Sequence, residues 1–572
     1  MSFNGTDFGF VGQAYEAADP YQDRQRLMNW YVEVSQDDKS KTPTALLGCP
    51  GLNPIFQAVI AQGRGGWVLP GGNQALVVFG NTLYVGTVTV PATQTSIAQF
   101  SWSAVGTLLT NSGPVVIRDN GAGGYAVIVD GPFGYYYRIA GAGSYVFNAT
   151  TTATNTVVAV SAPFPSGIIV GSAISGANIP VGATITATNI NGLSFTMSAA
   201  ATGSGATTIT ETLASFAQIT DQNFLGSDRI SFIDGWLGFN QPGTQNFYTN
   251  APTPYTLLFD GTFFAKNDSS TDNVITHHEQ NREWWIIGER HTEVWTDQGG
   301  AGFAFARIPG VTPQIGCAAK HSIARLGSNL VWLGKSERGE NTVVTSDQYN
   351  FKPISTVAVE NAISSYPLVS DAIGYTYLEA GHLFYVLTFP TADATWVYDN
   401  TTQMWHQRGS WDVTNGVFHR HRSNFFINFQ DLRLVGDYQS GQLHQMSRSV
   451  YTDAGQPLVA LRRTPIVWKR ETRERVFQAS LQIDFSPGVG LQVGQGSNPQ
   501  FMLRWSNDYG ATWGNQHFVP VGKAGRYKNR AKINRVGMSR GRVFEGSYSE
   551  PTNRDIVGAT LFWEPESQED AA

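Results

Sequence analysis

The sequence predicts an all-β chain. Its expected parts are a β-propeller of six to eight blades, an immunoglobulin-like β-sandwich inserted into that propeller, and a further β-sandwich at the C-terminal end. Three observations predict it. Segments of matching pattern recur through the middle of the chain and place Phe239, Ile286, Trp332, Phe384 and Phe426 at comparable core positions, in steps of 47, 46, 52 and 42 residues. A period in the forties, with about four short strands per unit, marks a propeller blade, which buries its faces only against its neighbours. Composition agrees: charged residues are 14%, glycines number 61 and aromatics reach 12%, which favours short strands and glycine turns over salt-bridged helices. The third observation is that the repeat is interrupted once and then ends, each time with a change of charge.

Taken in order, residues 1–66 read as an N-terminal arm. They hold one short helical piece, PYQDRQRLMNWYVEVS, before the prolines and glycines of TPTALLGCPGLNP stop regular structure. Strand–turn–strand units such as ALVVFGNTLYVG and YAVIVDGPFGYYYRI open the propeller, which occupies 67–139 and 216–448. Residues 139–210 contain no Asp, Glu, Lys, Arg or His. Alternating runs such as GATITATNI make 140–215 an inserted sandwich rather than a glycosylated linker. From 449 to 572 the strand spacing changes again and forms the C-terminal sandwich. At 572 residues the chain exceeds one core and is long enough for about three domains.

Charge is concentrated in that last part. Residues 461–542 carry 15 Lys and Arg against 4 Asp and Glu, a net +11 that leaves −17 on the remainder of a chain whose total is −6. Arg526, Lys528, Arg530 and Lys532 alternate, so on a strand they would share a face. With Arg540 and Arg542 they form a candidate docking surface for an acidic neighbour. Contact with a phosphate backbone and plain solvation of an edge strand are the alternative readings. Just before them, Ser506, Asp508, Gly510, Thr512 and Trp513 make the pattern S-x-D-x-G-x-T-W. This is an Asp-box hairpin turn, in which the aspartate bonds its own turn amides and the glycine takes positive φ.

Catalysis finds no foothold. The single Asp box lies outside the repeat, and the Ala306-Arg307-Ile308-Pro309 stretch lies in mid-chain, so a sialidase-like site is not assembled. His277 and His278 are adjacent and point to opposite faces of a strand. His419 and His421 would share a face, but Arg420 and Arg422 beside them repel a cation. The GKAGR stretch at 522–526 lacks the glycine spacing and hydroxyl of a phosphate loop. No catalytic residue, metal ligand or cofactor is therefore expected. Cys49 and Cys317 are read as buried thiols, and no apolar run is long enough for a membrane helix.

The run VFQASLQIDFSPGVGLQVGQGSNPQFMLRWSNDYGATWG, continued by GKAGRYKNRAKINRVGMSRGRVFE and IVGATLFWE, resembles the C-terminal region of the packaged-DNA-stabilisation proteins of short-tailed bacteriophages. These are tail hub or nozzle proteins. SDRISFIDGWLGFNQPGTQNFY, EWWIIGERHTEVWTD and ARLGSNLVWLG are similar to that family's propeller, and NWYVEVS with LLGCPGL resembles its lead-in. The resemblance implies a structural virion protein, assembled in the bacterial host cytoplasm. Six copies would form a ring below the portal and adaptor, retain packaged double-stranded DNA without sequence preference and conduct it outward. Tail fibre, tailspike or needle proteins are further partners it implies. The alternative function is a receptor- or glycan-binding module on a propeller scaffold. For the insert, an outward glycan- or fibre-binding decoration and a packing spacer both stay open.

Overall fold

The computed structural model describes the chain except for residues 1–3, 20, 38–41, 93–96, 122–123, 163–167, 190–192, 253–256, 270, 301, 337–338, 340, 469–473 and 564–572. Among the described residues strands dominate, and the one short helix, Val357–Ser364, is capped by Thr356.

Among the described residues seven blades form the propeller. Blade 1 is Gly63–Val68, Gln74–Phe79, Thr82–Val90 and Gln99–Thr107, paired in chain order. Blade 2 is Val116–Asp119, Tyr125–Val129, Gly134–Arg138 and Phe216–Gln218, and blades 3 and 4 start at Ile230–Ile233 and Val274–Gln280; all three repeat that order. Blade 5 runs from Ala324–Leu326 to Asn350–Pro353, with Ile315–Cys317 as an added strand, and blade 6 from Ile373–Glu379 to Met404–Gln407. Blade 7 takes only Ser423–Phe429, Leu432–Asp437 and Gln442–Ser447 from this end of the chain. Its outer strand is Gly51–Gln57, antiparallel to Gln442–Ser447. The N-terminal segment thus closes the ring.

Each junction between blades is filled by an apolar cluster, the physical reason a blade is stable only beside another. Val77 and Phe79 of blade 1 pack with Phe425 and Leu434 of blade 7. Val78 and Leu83 pack with Ile128 and Tyr135 of blade 2, Val127 with Phe239, Phe247 with Trp284, and Trp285 with Trp332. Val331 and Leu333 meet Tyr385 and Leu387, and Val386 and Val397 meet Val435, which completes the circle. Gly238 is required at one such seam: a Cβ there would sit 2.4 Å from the Trp284 ring of the next blade. Phe239, Ile286, Trp332 and Phe384 occupy the second strand of their blades and are fully buried. Phe426 does not match them. It lies on the first strand of blade 7, and Val435 holds the equivalent second-strand place.

The stretch expected to be helical is two strands. Arg24–Met28 and Trp30–Val34 are separated by Asn29, which takes φ 57° and is buried. Its side-chain amide donates to the carbonyls of Gly409 and Val459, and its oxygen accepts from Gly409 N–H. Asparagine tolerates the left-handed conformation, and here it hands the chain from one sheet to another. Arg24–Met28 joins the sheet of Ala460–Arg463, Gly541–Tyr548, Gln500–Ser506 and His517–Pro520, and pairs with the end of blade 6 through Met28 and Gln407. Trp30–Val34 and Thr44–Gly48 extend the facing sheet, which contains Ile556–Trp563, Val476–Phe485 and Ala531–Ser539. The C-terminal sandwich is therefore completed by N-terminal strands. Neither a free arm at 1–66 nor a sandwich made from 449–572 alone is present, because these edges pair with strands more than 400 residues away. Leu27 and Trp30 share one apolar cluster with Leu481, Phe501 and Phe544 of the sandwich and Tyr385 of blade 6.

The insert leaves blade 2 after Gly134–Arg138 and returns at Phe216–Gln218, which pairs with the strand it left. It is a single six-stranded sheet rather than the two facing sheets of an immunoglobulin-like sandwich. The order runs from Ala173–Gly176 through Gly205–Leu213, Gly143–Thr151, Val157–Val160 and Ser194–Met197 to Ile185–Thr188. The two ends meet at an Ala173–Thr184 bridge, so the sheet curls on itself. Alternation in the nine-residue strands turns Phe147, Ala149 and Ile209 inward to one core with Val158, Ile174 and Phe195, and the bridge between the end strands shortens the edge left open.

Candidate assembly interface

The basic residues sit where the two sandwich sheets end. His517–Pro520 is the terminal strand of one sheet and Ala531–Ser539 of the other, and residues 521–530 connect these open edges. Arg526, Lys528 and Arg530 lie on that connection and Lys532 at the start of the second strand, all exposed. They do not form the alternating strand face expected from sequence. Gly522 and Gly525 take φ values of 131° and 77°, and Asn529 donates to the carbonyls of Pro520 and Val521, which rolls the segment into a loop. The charges fan outward from it. Phe518 and Tyr527, 65% and 72% exposed, flank them, an apolar component that the charge pattern did not reveal. Arg540 is exposed at the next turn.

Arg542 leaves the set. Its guanidinium is buried and donates to Asn507 Oδ1, Gln478 Oε1 and the Val536 carbonyl at 2.7–2.8 Å, and burial pulls its pKa down to about 10. A side chain so committed braces the sandwich and cannot reach a partner.

The neighbouring hairpin carries the Asp-box geometry. Ser506 Oγ donates to Asp508 Oδ1 at 2.5 Å and accepts the Gly510 N–H at 2.7 Å. Asp508 accepts the Thr512 N–H at 2.9 Å and its hydroxyl at 2.5 Å. Bonds from Ser506 and Thr512 hold the Asp508 carboxyl well below the usual range. Tyr509 and Gly510 take φ values of 59° and 90°. Trp513 lies beside the guanidinium groups of Arg463 and Arg504, both of which pair with Glu545. Arg24 Nη1 donates to the Gly510 carbonyl, which ties the turn to the N-terminal strand.

The propeller axis offers a second polar region, a cavity of about 400 Å³ reached by Trp67, Arg118, Arg229, His278, Glu279 and Arg325. Burial lowers the Arg229 pKa to about 10, with Arg118 adding to it, and lowers His278 to about 4. Burial opposes the charge on Glu279, but His278 and Arg118 outweigh it and bring its pKa to about 2. The carboxylate is fixed in its charged form, a poor proton donor or acceptor near neutrality. His277 points away from the axis and accepts from Trp284 Nε1 while bonding Ser231 Oγ. His419 bonds Asp393 at the surface, and His421 is buried on Ser423. Arg307 pairs with Glu293 on blade 4. Among the described residues no group of three or more His, Cys, Asp or Glu side chains is placed to hold a metal ion. Cys49 and Cys317 are buried free thiols, and burial raises both pKa values, that of Cys317 to about 12.

Comparison with known families accounts for both large domains. Residues 105–451, more than half of the chain, match the model described as Bacteriophage P22 Gp10, beta-propeller, and residues 461–560 match Bacteriophage P22 Gp10, beta-sandwich. The propeller and the sandwich behind it define a structural protein of the bacteriophage tail. Within that class the chain belongs to the P22 Gp10 family, the DNA-stabilisation or tail hub proteins. Among solved structures it is similar to the Dos1 propeller at 9% identity, over 69% of this chain and 95% of that one, with a TM-score of 0.33. No curated protein matches it.

Proposed function

We propose that the chain is a ring-forming tail hub or nozzle, six copies assembled below the portal and adaptor. The ring retains packaged DNA and forms part of the channel through which it leaves. It is assembled in the host cytoplasm, acts as a scaffold without catalysis, and offers attachment points to fibre, tailspike or needle proteins. The observation that carries this reading is the exposed loop of Arg526, Lys528 and Arg530 with Lys532, joined to two open strand edges on a chain whose remaining parts are acidic. A head-to-tail ring needs two complementary patches on every copy, and charge complementarity sets the register between them. Net acidity elsewhere suits a conduit, since each neutralised phosphate adds a salt-dependent hold on DNA.

The test is charge reversal of Arg526, Lys528, Arg530 and Lys532 to Glu, all exposed, with only a 4.0 Å pairing of Arg530 to Asp484 and the placement of Lys532 over the Phe562 ring tying them to the sandwich. The variant should fold as the wild type does, by circular dichroism, and fail to form rings on the adaptor complex. Normal ring formation by the reversed protein would sink the assignment.

A further inference from the structure

A cleft of about 280 Å³ lies where the sandwich meets blade 7, between the end of Thr44–Gly48, the loop after Gln442–Ser447 and the loop before Ile556–Trp563. Arg554 projects into it and is 1% exposed. Its stem lies on Gly48, where a Cβ would come within 2.7 Å of the Arg554 Cγ, and its backbone is held by Trp30 Nε1, which donates to the Arg554 carbonyl. Nη1 donates to the Leu458 carbonyl at 2.8 Å. Nε and Nη2 are buried with no acceptor among the described residues. A second guanidinium, Arg448, lines the same cleft, with Tyr451 and Ser449 beside it. One carboxylate is present, Asp555, and it is committed: Oδ1 accepts the Gly48 N–H at 2.8 Å, and Arg448 Nη2 lies 3.3 and 3.5 Å from its two oxygens.

The lining therefore carries one positive charge in excess and two buried donor nitrogens without an acceptor among the described residues. Leaving such donors unmet costs more than a typical hydrogen bond gains, and a guanidinium fork matches the oxygens of a carboxylate or phosphate. We infer that this cleft is a binding site for a small oxyanion, either inorganic phosphate or the carboxylate of an acidic side chain presented by a second copy of the chain. Burial brings Arg554 down to about 10, so it keeps its charge at neutral pH. The site itself does not depend on the ring proposal; only the second source does.

The test is calorimetric titration of the full chain with inorganic phosphate, with ionic strength held constant by chloride. One phosphate should bind per chain. Arg448→Gln, at a part-exposed position that the core does not need, should weaken binding at least tenfold, as should Arg554→Gln, whereas Asp555→Asn should tighten it. No saturable uptake by the wild type, or equal affinity in Arg448→Gln, would overturn the assignment. Sedimentation separates the two sources: release of self-association by saturating phosphate identifies a neighbour's carboxylate as the occupant, and unchanged association identifies the free ion. Failure of ring formation with phosphate binding intact would count against the ring alone.

Discussion

Glu211 is the first charged residue after the uncharged stretch at 139–210, and the fold buries it completely. It lies where the insert meets blade 2; one oxygen accepts the Ile169 N–H at 2.8 Å, and the other is buried with no partner among the described residues. Burial raises its pKa from 4.5 to about 7, against a smaller opposing bond from the Ile169 N–H. Because the folded state holds this proton more tightly, the stabilisation is present below the unfolded value and is lost as pH rises through the folded one. A displacement of that size corresponds to about 3 kcal/mol, most of which is lost between about pH 5 and about pH 8. Glu211→Gln keeps the shape and removes the titration. Hydrogen exchange of peptides from the insert, corrected for intrinsic rates, should show wild-type protection falling by roughly that amount over the interval while the variant stays flat. At the upper end the variant should be the better protected. An identical pH profile in both proteins, or wild-type protection that rises with pH, would refute the burial argument.

Two further outcomes are expected. His382 is buried between Asp399 and Glu33, each at 2.7 Å, and joins blade 6 to the N-terminal strand of the sandwich. Burial works against its charge, but the two carboxylates win and raise its pKa. Its contribution is thus full below the ordinary histidine value and lost as pH rises through the raised one, and thermal unfolding of His382→Gln should lack that part of the pH dependence. Excision of 140–215 should leave a folded propeller, since Tyr137 and Phe216 are paired neighbours and a short loop can bridge them. Particles that assemble but fail to adsorb would make the insert a receptor- or glycan-binding decoration, and particles that fail to assemble would make it a packing spacer.

The propeller was legible because a blade is a local object, whose strands pair with their chain neighbours and repeat the same apolar spacing. What stayed hidden is non-local. Nothing within Gly51–Gln57 announces that it completes a blade begun near residue 423, and nothing in RQRLMNWY distinguishes a helical face from two strands divided at Asn29. Phe426 fitted the repeat by composition, but the fold uses it one strand earlier. The Asp-box turn could be read residue by residue because its bonds are within the turn. The basic cluster was legible as charge and not as geometry: alternation cannot show that Gly522 and Gly525 break the strand, nor that Arg542 is the one member with three acceptors waiting inside. Arg554 carried no sequence signal, since its partners come from three distant segments.

The most direct measurement is the mass and negative-stain image of the purified protein, alone and mixed with the portal and adaptor complex of its phage. Six-fold rings, formed either in isolation or only on the adaptor, are the predicted result. A protein that remains monomeric in both preparations and ignores the adaptor would contradict a ring-forming tail hub.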